Sequence, residues 1–562
     1  MFRNFLWQIV AILCLVITSA SAQFTGDHHD HPLGDDFVES GSRLRFQSGD
    51  RWQRTATNGS GLGQGDPTTL TWGIVPDGTQ IVAFVSNEVD GRSDLNSYLD
   101  EKFGDRSAWL PLFEGVFDRW SELSGLSYVY EARDDGRPIQ EANSHSGVLG
   151  VRADIRIAGH VVGDGPLLAY SHFPDRGDMV FDTGDGFDID PGALLFRNLV
   201  AHEHGHGLGL YHTVSDDSRA LMQPFVSPAF DGPQFDDILG VQRNYGDALE
   251  KKGGNDSLAK AHFLGSLATQ QKLSIGTDAF LTRVFPEQTD FVSIDDDSDI
   301  DVYAFEVTSP QNVSLWLRPM GPTYLEGPQL GTQTVLNTSA LNDLALELLD
   351  SSGSVIEFSS SGKIGEEERI EEVLLMPGQR YFARITGADN AAQMYRLDVG
   401  DLSVVEPGDF DANGFLDVTD IETLSSVVRS ESNDLRFDVN GDQQVNADDR
   451  VVWVNELKRT YFGDSNLDGE FNSSDLVIGF SAGEFEDSIP LNSTWATGDW
   501  NGDLEFGTGD LVLAFQADGF EKGRRPNIGV QSVPEPKVPF ALMVLLAIWR
   551  IRRQMVRTER KS

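Results

Sequence analysis

The 562-residue chain has a single cysteine, Cys14, so no disulfide can form within it. Stability in an oxidising compartment must then come from packed cores and bound ions rather than from cross-links. Basic residues are scarce as well: 43 Lys and Arg stand against 88 Asp and Glu, a formal net charge of −45. That balance argues against nucleic acid as a partner, because its binders carry basic footprints. It suits calcium ligation and solubility. Long hydrophobic runs are also missing. The apolar stretches Phe5 to Thr18 and Val538 to Trp549 both fall short of the ~20 residues of a membrane-spanning helix. What is present is enough to build cores: 40% hydrophobic and 10% aromatic residues exclude a wholly disordered acidic chain. At roughly 100–200 residues per domain the length predicts several domains.

The first apolar run follows Arg3 and leads into Ala20-Ser21-Ala22. A basic start, a short apolar centre and a small-residue exit predict a secretory signal peptide over 1–22, whose removal takes Cys14 with it. Residues 23–65 form a polar, propeptide-like leader with Asp27-His28-His29-Asp30-His31. The far end reads Val533-Pro534-Glu535-Pro536, the second apolar run, then Arg550, Arg552 and Arg553. Residues 533–553 thus resemble the bacterial PEP-CTERM sorting signal. The resemblance implies recognition by an exosortase-like processing enzyme. The other reading is a short tail anchor held by its basic flank. Both place the body of the protein outside the cytoplasm of a bacterium, secreted or at the cell surface, with the C-terminal segment as the point of membrane attachment.

Between these ends the periodicity changes three times. Residues 66–247 mix strands, such as Leu70 to Val75 and Asp154 to Ile157, with helices, predicting an α+β domain. Leu112, Phe113, Val116, Phe117 and Trp120 share one helical face. Lys251 to Asp256 reads as a linker. Residues 254–402 alternate strand after strand, for example Asp301 to Val307 and Tyr381 to Ile385, predicting a β-sandwich. Residues 405–520 carry an internal repeat.

The most informative stretch runs from His202 through Glu203, His204, Gly205, His206 and Gly209 to His212. On a helix, positions i and i+4 lie one turn apart, so His202 and His206 can face one ion. Gly209 lets the chain turn out of the helix, and His212 returns as a third ligand. Three protein ligands leave zinc's fourth position open, as in catalytic sites. Glu203, beside a ligand but pointing elsewhere, is the expected general base for a zinc-activated water. His204, at a free position, is expected to be exposed.

This is the extended H-E-x-x-H-x-x-G-x-x-H pattern of metzincins. Ala220-Leu221-Met222-Gln223-Pro224 resembles the methionine turn of the matrixin family, with Met222 as an apolar floor under the ligands rather than a ligand itself. Leu70 to Ile74, Phe117 to Ser121, Ala153 to Ile157, Gly177 to Asp182 and Asp236 to Gln242 resemble further matrixin segments in the right order. The resemblance spans about 66–247 and implies an endopeptidase with protein or peptide substrates. Two departures stand out. Val180 sits where the family has a histidine of its structural zinc site, and His160, Asp164 and His172 are in poor register to replace it, so no structural zinc is expected. The family's cysteine switch is absent too. Asp182 and Asp185 read equally well as calcium ligands or as turn acids.

Asn255-Asp256-Ser257, Asp299 to Tyr303 and Tyr395 to Val399 resemble the bacterial pre-peptidase C-terminal domain, implying an accessory module without chemistry of its own. The repeat places oxygen side chains at calcium-loop positions. The first copy is Asp409, Asp411, Asn413, Asp417 and Asp420, with Gly414 at the sixth position. The second is Asp438, Asn440, Asp442, Asn446 and Asp449, with Gln443 in place of that glycine. Asp464, Asn466, Asp468, Asn472 and Asp475 make the third, and Asp499, Asn501, Asp503 and Asp510 the fourth. Aspartate in the last position makes these loops resemble dockerin type I repeats, which implies bound Ca2+ and a cohesin-like protein partner; a calcium-stabilised stalk is the other reading. The sequence therefore predicts a multidomain, exported zinc endopeptidase: an α+β metzincin domain, a β-sandwich and calcium-binding helical repeats. The competing reading is a catalytically silent surface adhesion or assembly protein that docks through its calcium repeats.

Overall fold

The computed structural model describes residues 50–525 except 86–87, 140–146, 164–166, 185–192, 216–219, 252, 280–282, 330, 361, 403–406 and 412–413. The segments read as a signal peptide with Cys14 and as a sorting tail, most of residues 23–65, and Asp164, Asp185 and Asn413 lie outside the described residues. Among the described residues no helix is long and apolar enough to cross a membrane. The chain divides into two compact units, 1–404 and 405–562.

The first unit contains a five-stranded sheet built from β1 (Thr68–Ile74), β2 (Leu126–Tyr130), β3 (Ile155–His160), β4 (Ala169–Ser171) and β5 (Met179–Asp182). Its order is β2-β1-β3-β5-β4. All pairs are parallel except β4 against β5, which makes β4 an antiparallel edge. Every residue of β3 and β5 is buried, as expected of parallel strands covered on both faces. Helix α1 (Leu95–Phe103) precedes α2 (Arg106–Leu123), whose N-cap Asp105 accepts a bond from Ser107 N. The apolar face of α2 buries Trp109, Phe113, Val116, Phe117 and Trp120. Phe117 stacks on Trp72 of β1 with centroids 4.5 Å apart. Helix α3 (Leu194–Gly207) packs against the same core through Phe196, Leu199 and Val200. Strand β6 (Thr213–Ser215) and helix α4 (Phe235–Tyr245) complete this part.

Residues 254–402 form two five-stranded sheets. One has the order His262–Leu267, Ile300–Val307, Arg380–Gly387, Leu344–Leu349, Val355–Ser359. The other runs Lys272–Ile275, Gln393–Gly400, Gln311–Pro319, Glu368–Leu375, with Val292–Ile294 also against Gln393–Gly400. Alternating residues of both sheets, among them Phe305, Leu346, Ile385, Leu315, Leu397 and Val399, share one buried core. A hairpin of β7 (Thr323–Pro328) and β8 (Thr334–Asn337) leaves this pair of sheets and adds to β6 in a three-stranded sheet.

The composition of Lys251 to Asp256 reads as a linker, but Lys251 and Asn255 within it are bonded to the folded parts on either side. Lys251 Nζ donates to Ser121 Oγ at 3.0 Å, and Asn255 is buried with its Nδ2 on Asp301 Oδ1. The two parts of the unit are bonded elsewhere too. Gln234 exchanges both amide bonds with the backbone of Val284, and Arg119 donates to the carbonyls of Phe285 and Gln288.

The second unit repeats one local design. Each acidic loop runs into a helix: α5 (Val418–Arg429), α6 (Ala447–Val452), α7 (Ser473–Ser481) and α8 (Thr508–Gln516). The last aspartate of each loop, Asp420, Asp449, Asp475 or Asp510, is the N3 residue of its helix and accepts the backbone N–H of the N-cap residue. The sixth loop position adopts positive φ every time: 85° at Gly414, 67° at Gln443, 94° at Gly469 and 73° at Leu504. The turn geometry is thus held even where a side chain replaces glycine. Apolar residues of the helices and loops, Trp453, Phe471, Trp495, Trp500 and Phe506 among them, form a common core.

Candidate active site

Helix α3 carries His202 and His206 one turn apart, and both are buried. Each donates its Nδ1 hydrogen to a backbone carbonyl: His202 to Leu221 O at 2.8 Å, His206 to Leu210 O at 2.8 Å. A carbonyl can only accept, so the proton sits on Nδ1 and the lone pair on Nε2. Gly209, at φ 95°, turns the chain back toward the helix; a Cβ there would lie 2.2 Å from Asp50 O. His212 follows, with its Nδ1 3.0 Å from Gln329 Oε1. Its Nε2 lies 3.2 Å from the Nε2 of both His202 and His206.

Three nitrogens facing one another this closely repel unless a cation lies among them. Nitrogens at two corners of a tetrahedral zinc site, each about 2.0–2.1 Å from the ion, are about 3.3 Å apart. The donor set therefore fits zinc in both chemistry and spacing. Glu203 supplies a second observation. Its carboxyl is buried, and Oε2 has no hydrogen-bond partner. Burial raises this carboxyl to about 8; a divalent cation beside it lowers that value.

Met222 is buried directly beneath the helix. A Cβ on Gly205 would lie 2.4 Å from Met222 Sδ, so the absence of a side chain at Gly205 leaves the room that the methionine occupies. The turn carrying Met222 is held by Asp237 of α4. Its Oδ2 accepts from Leu221 N at 2.7 Å and from Gln234 N at 2.8 Å, and its Oδ1 from Met222 N at 3.1 Å. Neither Gly205 nor Asp237 was singled out by spacing. For Asp237 the signal was the capping pattern Gln234-x-x-Asp237 at the start of α4.

His204 corrects the sequence expectation. It is fully buried rather than exposed, with Nε2 2.7 Å from Tyr128 OH and its ring against Phe117 and Trp120. Helix α3 is covered on both sides, so the face opposite the histidine ligands is core. Burial lowers the His204 pKa to about 3 and keeps it neutral.

Val180 is buried in a small apolar cluster with Val75, Ile81 and Tyr170. His160 Nε2 lies 2.7 Å from Glu88 Oε1, which also accepts from Tyr170 OH at 2.8 Å. Asp182 is buried, and its Oδ1 accepts from Val162 N and Gly184 N. Among the described residues two further carboxylate groups converge: Glu250, Asp299 and Asp301, and, in the first repeat loop, Asp409, Asp411 and Asp420.

A mostly parallel sheet with one antiparallel edge thus covers a helix whose two histidines converge with a third above a buried methionine, a donor set that could hold a metal ion. Residues 111–246 match the family model described as matrixin. This segment is thus similar to matrixin domains. Stromelysin-1 of Equus caballus is 29% identical over 133 residues, covering 23% of this chain and 26% of that protein. The hatching enzyme of Paracentrotus lividus is 32% identical over 144 residues, 23% of this chain and 21% of that one. Interstitial collagenase of Equus caballus is 30% identical over 183 residues, 31% and 36% of the two chains. The chain thus spans only about a quarter of the first of these relatives, at 26%. Among solved structures, the pre-peptidase C-terminal domain of a collagenase from Bacillus anthracis is 13% identical, covers 25% of this chain and 95% of that domain, and has a TM-score of 0.14.

Proposed function

We propose that the protein is an exported, zinc-dependent endopeptidase that hydrolyses peptide bonds within proteins. The observation that carries this reading is the convergence of three histidine Nε2 atoms, two of them on the helix that also holds the buried Glu203, whose Oε2 has no partner. His202, His206 and His212 would hold the ion. When bound, zinc lowers the pKa of a coordinated water and polarises the scissile carbonyl. Glu203 Oε2 takes the proton of the attacking water and returns it to the departing amine nitrogen. The carbonyls of Leu221 and Leu210 fix the tautomer and the aim of these two imidazoles. Strand β4 stands at the sheet's edge, where an extended substrate can add as a further antiparallel strand.

The scaffold reading is less favoured, because a protein that only docks gains nothing from burying a carboxylate without a partner. In the second unit, Asp409, Asp411 and Asp420 and the corresponding oxygens of the other loops are calcium ligands in this reading, either stabilising a stalk or presenting a surface to a cohesin-like partner. The N-terminal segment directs export, and the tail is the substrate of an exosortase-like enzyme.

The test is digestion of an unfolded protein by the purified chain, followed by mass spectrometry. Internal cleavage is expected, blocked by a zinc chelator and restored by one equivalent of zinc. Cleavage that persists in chelator would contradict the assignment.

A further inference from the structure

The three histidines differ in what their Nδ1 atoms touch. His202 and His206 lean on backbone carbonyls of their own domain, Leu221 O and Leu210 O. His212 leans on a side chain 117 residues away, Gln329 Oε1, at 3.0 Å. Gln329 directly follows β7 and so belongs to the hairpin of the two-sheet region.

That hairpin is seated, not merely adjacent. Strand β7 pairs antiparallel with β6, immediately after His212: Thr213 opposite Pro328, Val214 opposite Gly327 and Ser215 opposite Glu326. Thr213 Oγ1 donates to the buried Glu326 carboxylate at 3.2 Å. Tyr324 OH donates to Asp236 Oδ1 at 2.6 Å, anchoring the other end of β7 to helix α4. On its far side β6 is tied to the methionine turn through Thr213 N on Met222 O, at 3.0 Å. The register of β6 against β7 therefore decides where Gln329 falls, and it falls on the ring nitrogen of His212.

We propose that Gln329 is a positioning residue for the third zinc ligand, and that the two-sheet region is thereby a working part of the metal centre rather than a detachable accessory. By accepting the Nδ1 hydrogen, the amide oxygen holds His212 in the tautomer whose Nε2 can bind a metal. Turned the other way, the amide would donate to Nδ1 and force the proton onto Nε2, blocking that nitrogen. Partners of this kind are worth about 10–100-fold in metal affinity. The inference rests on the zinc reading above.

Zinc affinity of the full chain is measured by competition with a chromophoric chelator, for wild type, Gln329→Met and Gln329→Glu. Thermal unfolding of the metal-free forms is recorded alongside. The methionine variant keeps the bulk and loses the acceptor; the glutamate keeps an acceptor and cannot donate. The proposal predicts zinc binding weakened about 10–100-fold in Gln329→Met, recovered in Gln329→Glu, with the metal-free transitions of all three coinciding. Wild-type affinity in Gln329→Met would overturn it, as would equal losses in both variants, which would mean that only packing of the hairpin matters. A wild type that binds no zinc would overturn the functional reading itself, a distinct outcome.

Discussion

Glu203→Gln is expected to lower kcat for protein hydrolysis by about 10²–10⁴-fold while the chain keeps its full zinc content. The substitution preserves the size of a buried side chain and removes only its capacity to hold a proton at Oε2. The metal should stay because the ligand rings are fixed by other atoms: Leu221 O, Leu210 O and Gln329 Oε1 accept the three Nδ1 hydrogens. A fall of this size raises the barrier by about 3–5 kcal/mol, far more than a side chain that merely packs would contribute at constant volume. KM should change little, since Glu203 is not a substrate-binding group. His206→Ala is the matched control and should lose zinc and activity together. Undiminished turnover in Glu203→Gln would remove Glu203 from the mechanism.

The second large effect is expected at a residue that touches neither metal nor substrate. Asp237→Ala strips the buried N–H groups of Leu221, Met222 and Gln234 of their acceptor. An unsatisfied buried donor costs about 1–3 kcal/mol, so even with partial rearrangement the loss should reach about 3 kcal/mol. It would be read as a lower urea midpoint of the metal-free chain. The damage should also reach the metal. Asp237 holds Leu221 by its N–H, and the carbonyl of the same residue orients His202. Zinc affinity should therefore fall by about tenfold or more. Asp237→Asn, which keeps one acceptor oxygen, should lie between. A midpoint and a zinc affinity both unchanged in Asp237→Ala would show that the methionine turn is held by packing alone.

Much of the local structure was legible because it repeats at short range. The apolar face of α2 follows from residues three and four apart, and the strands of the two-sheet region from strict alternation. The convergence of His202, His206 and His212 could be anticipated from helix pitch plus one glycine with φ 95°. What could not be read depends on contacts distant in sequence. His204 lies on the same helix as the ligands, and only the packing of α2 and Tyr128 against its other face decides that it is core. The segment Lys251 to Asp256 has the composition of a loop, yet Asp301 and Ser121 bind it from afar. The seating of β7 on β6 joins residues more than a hundred positions apart, and no periodicity announces it. The sixth loop position shows the reverse case: Gln443 and Leu504 break the glycine rule, and the surrounding loop imposes positive φ on them all the same.

On the proposed reading His202, His206 and His212 make an open metal centre. Zinc K-edge absorption on the purified chain tests it most directly. One zinc per chain is expected, with three nitrogen ligands at about 2.0–2.1 Å and one further light-atom ligand from solvent. A zinc closed by four protein ligands, or a chain that takes up no zinc once purified in its presence, would contradict it.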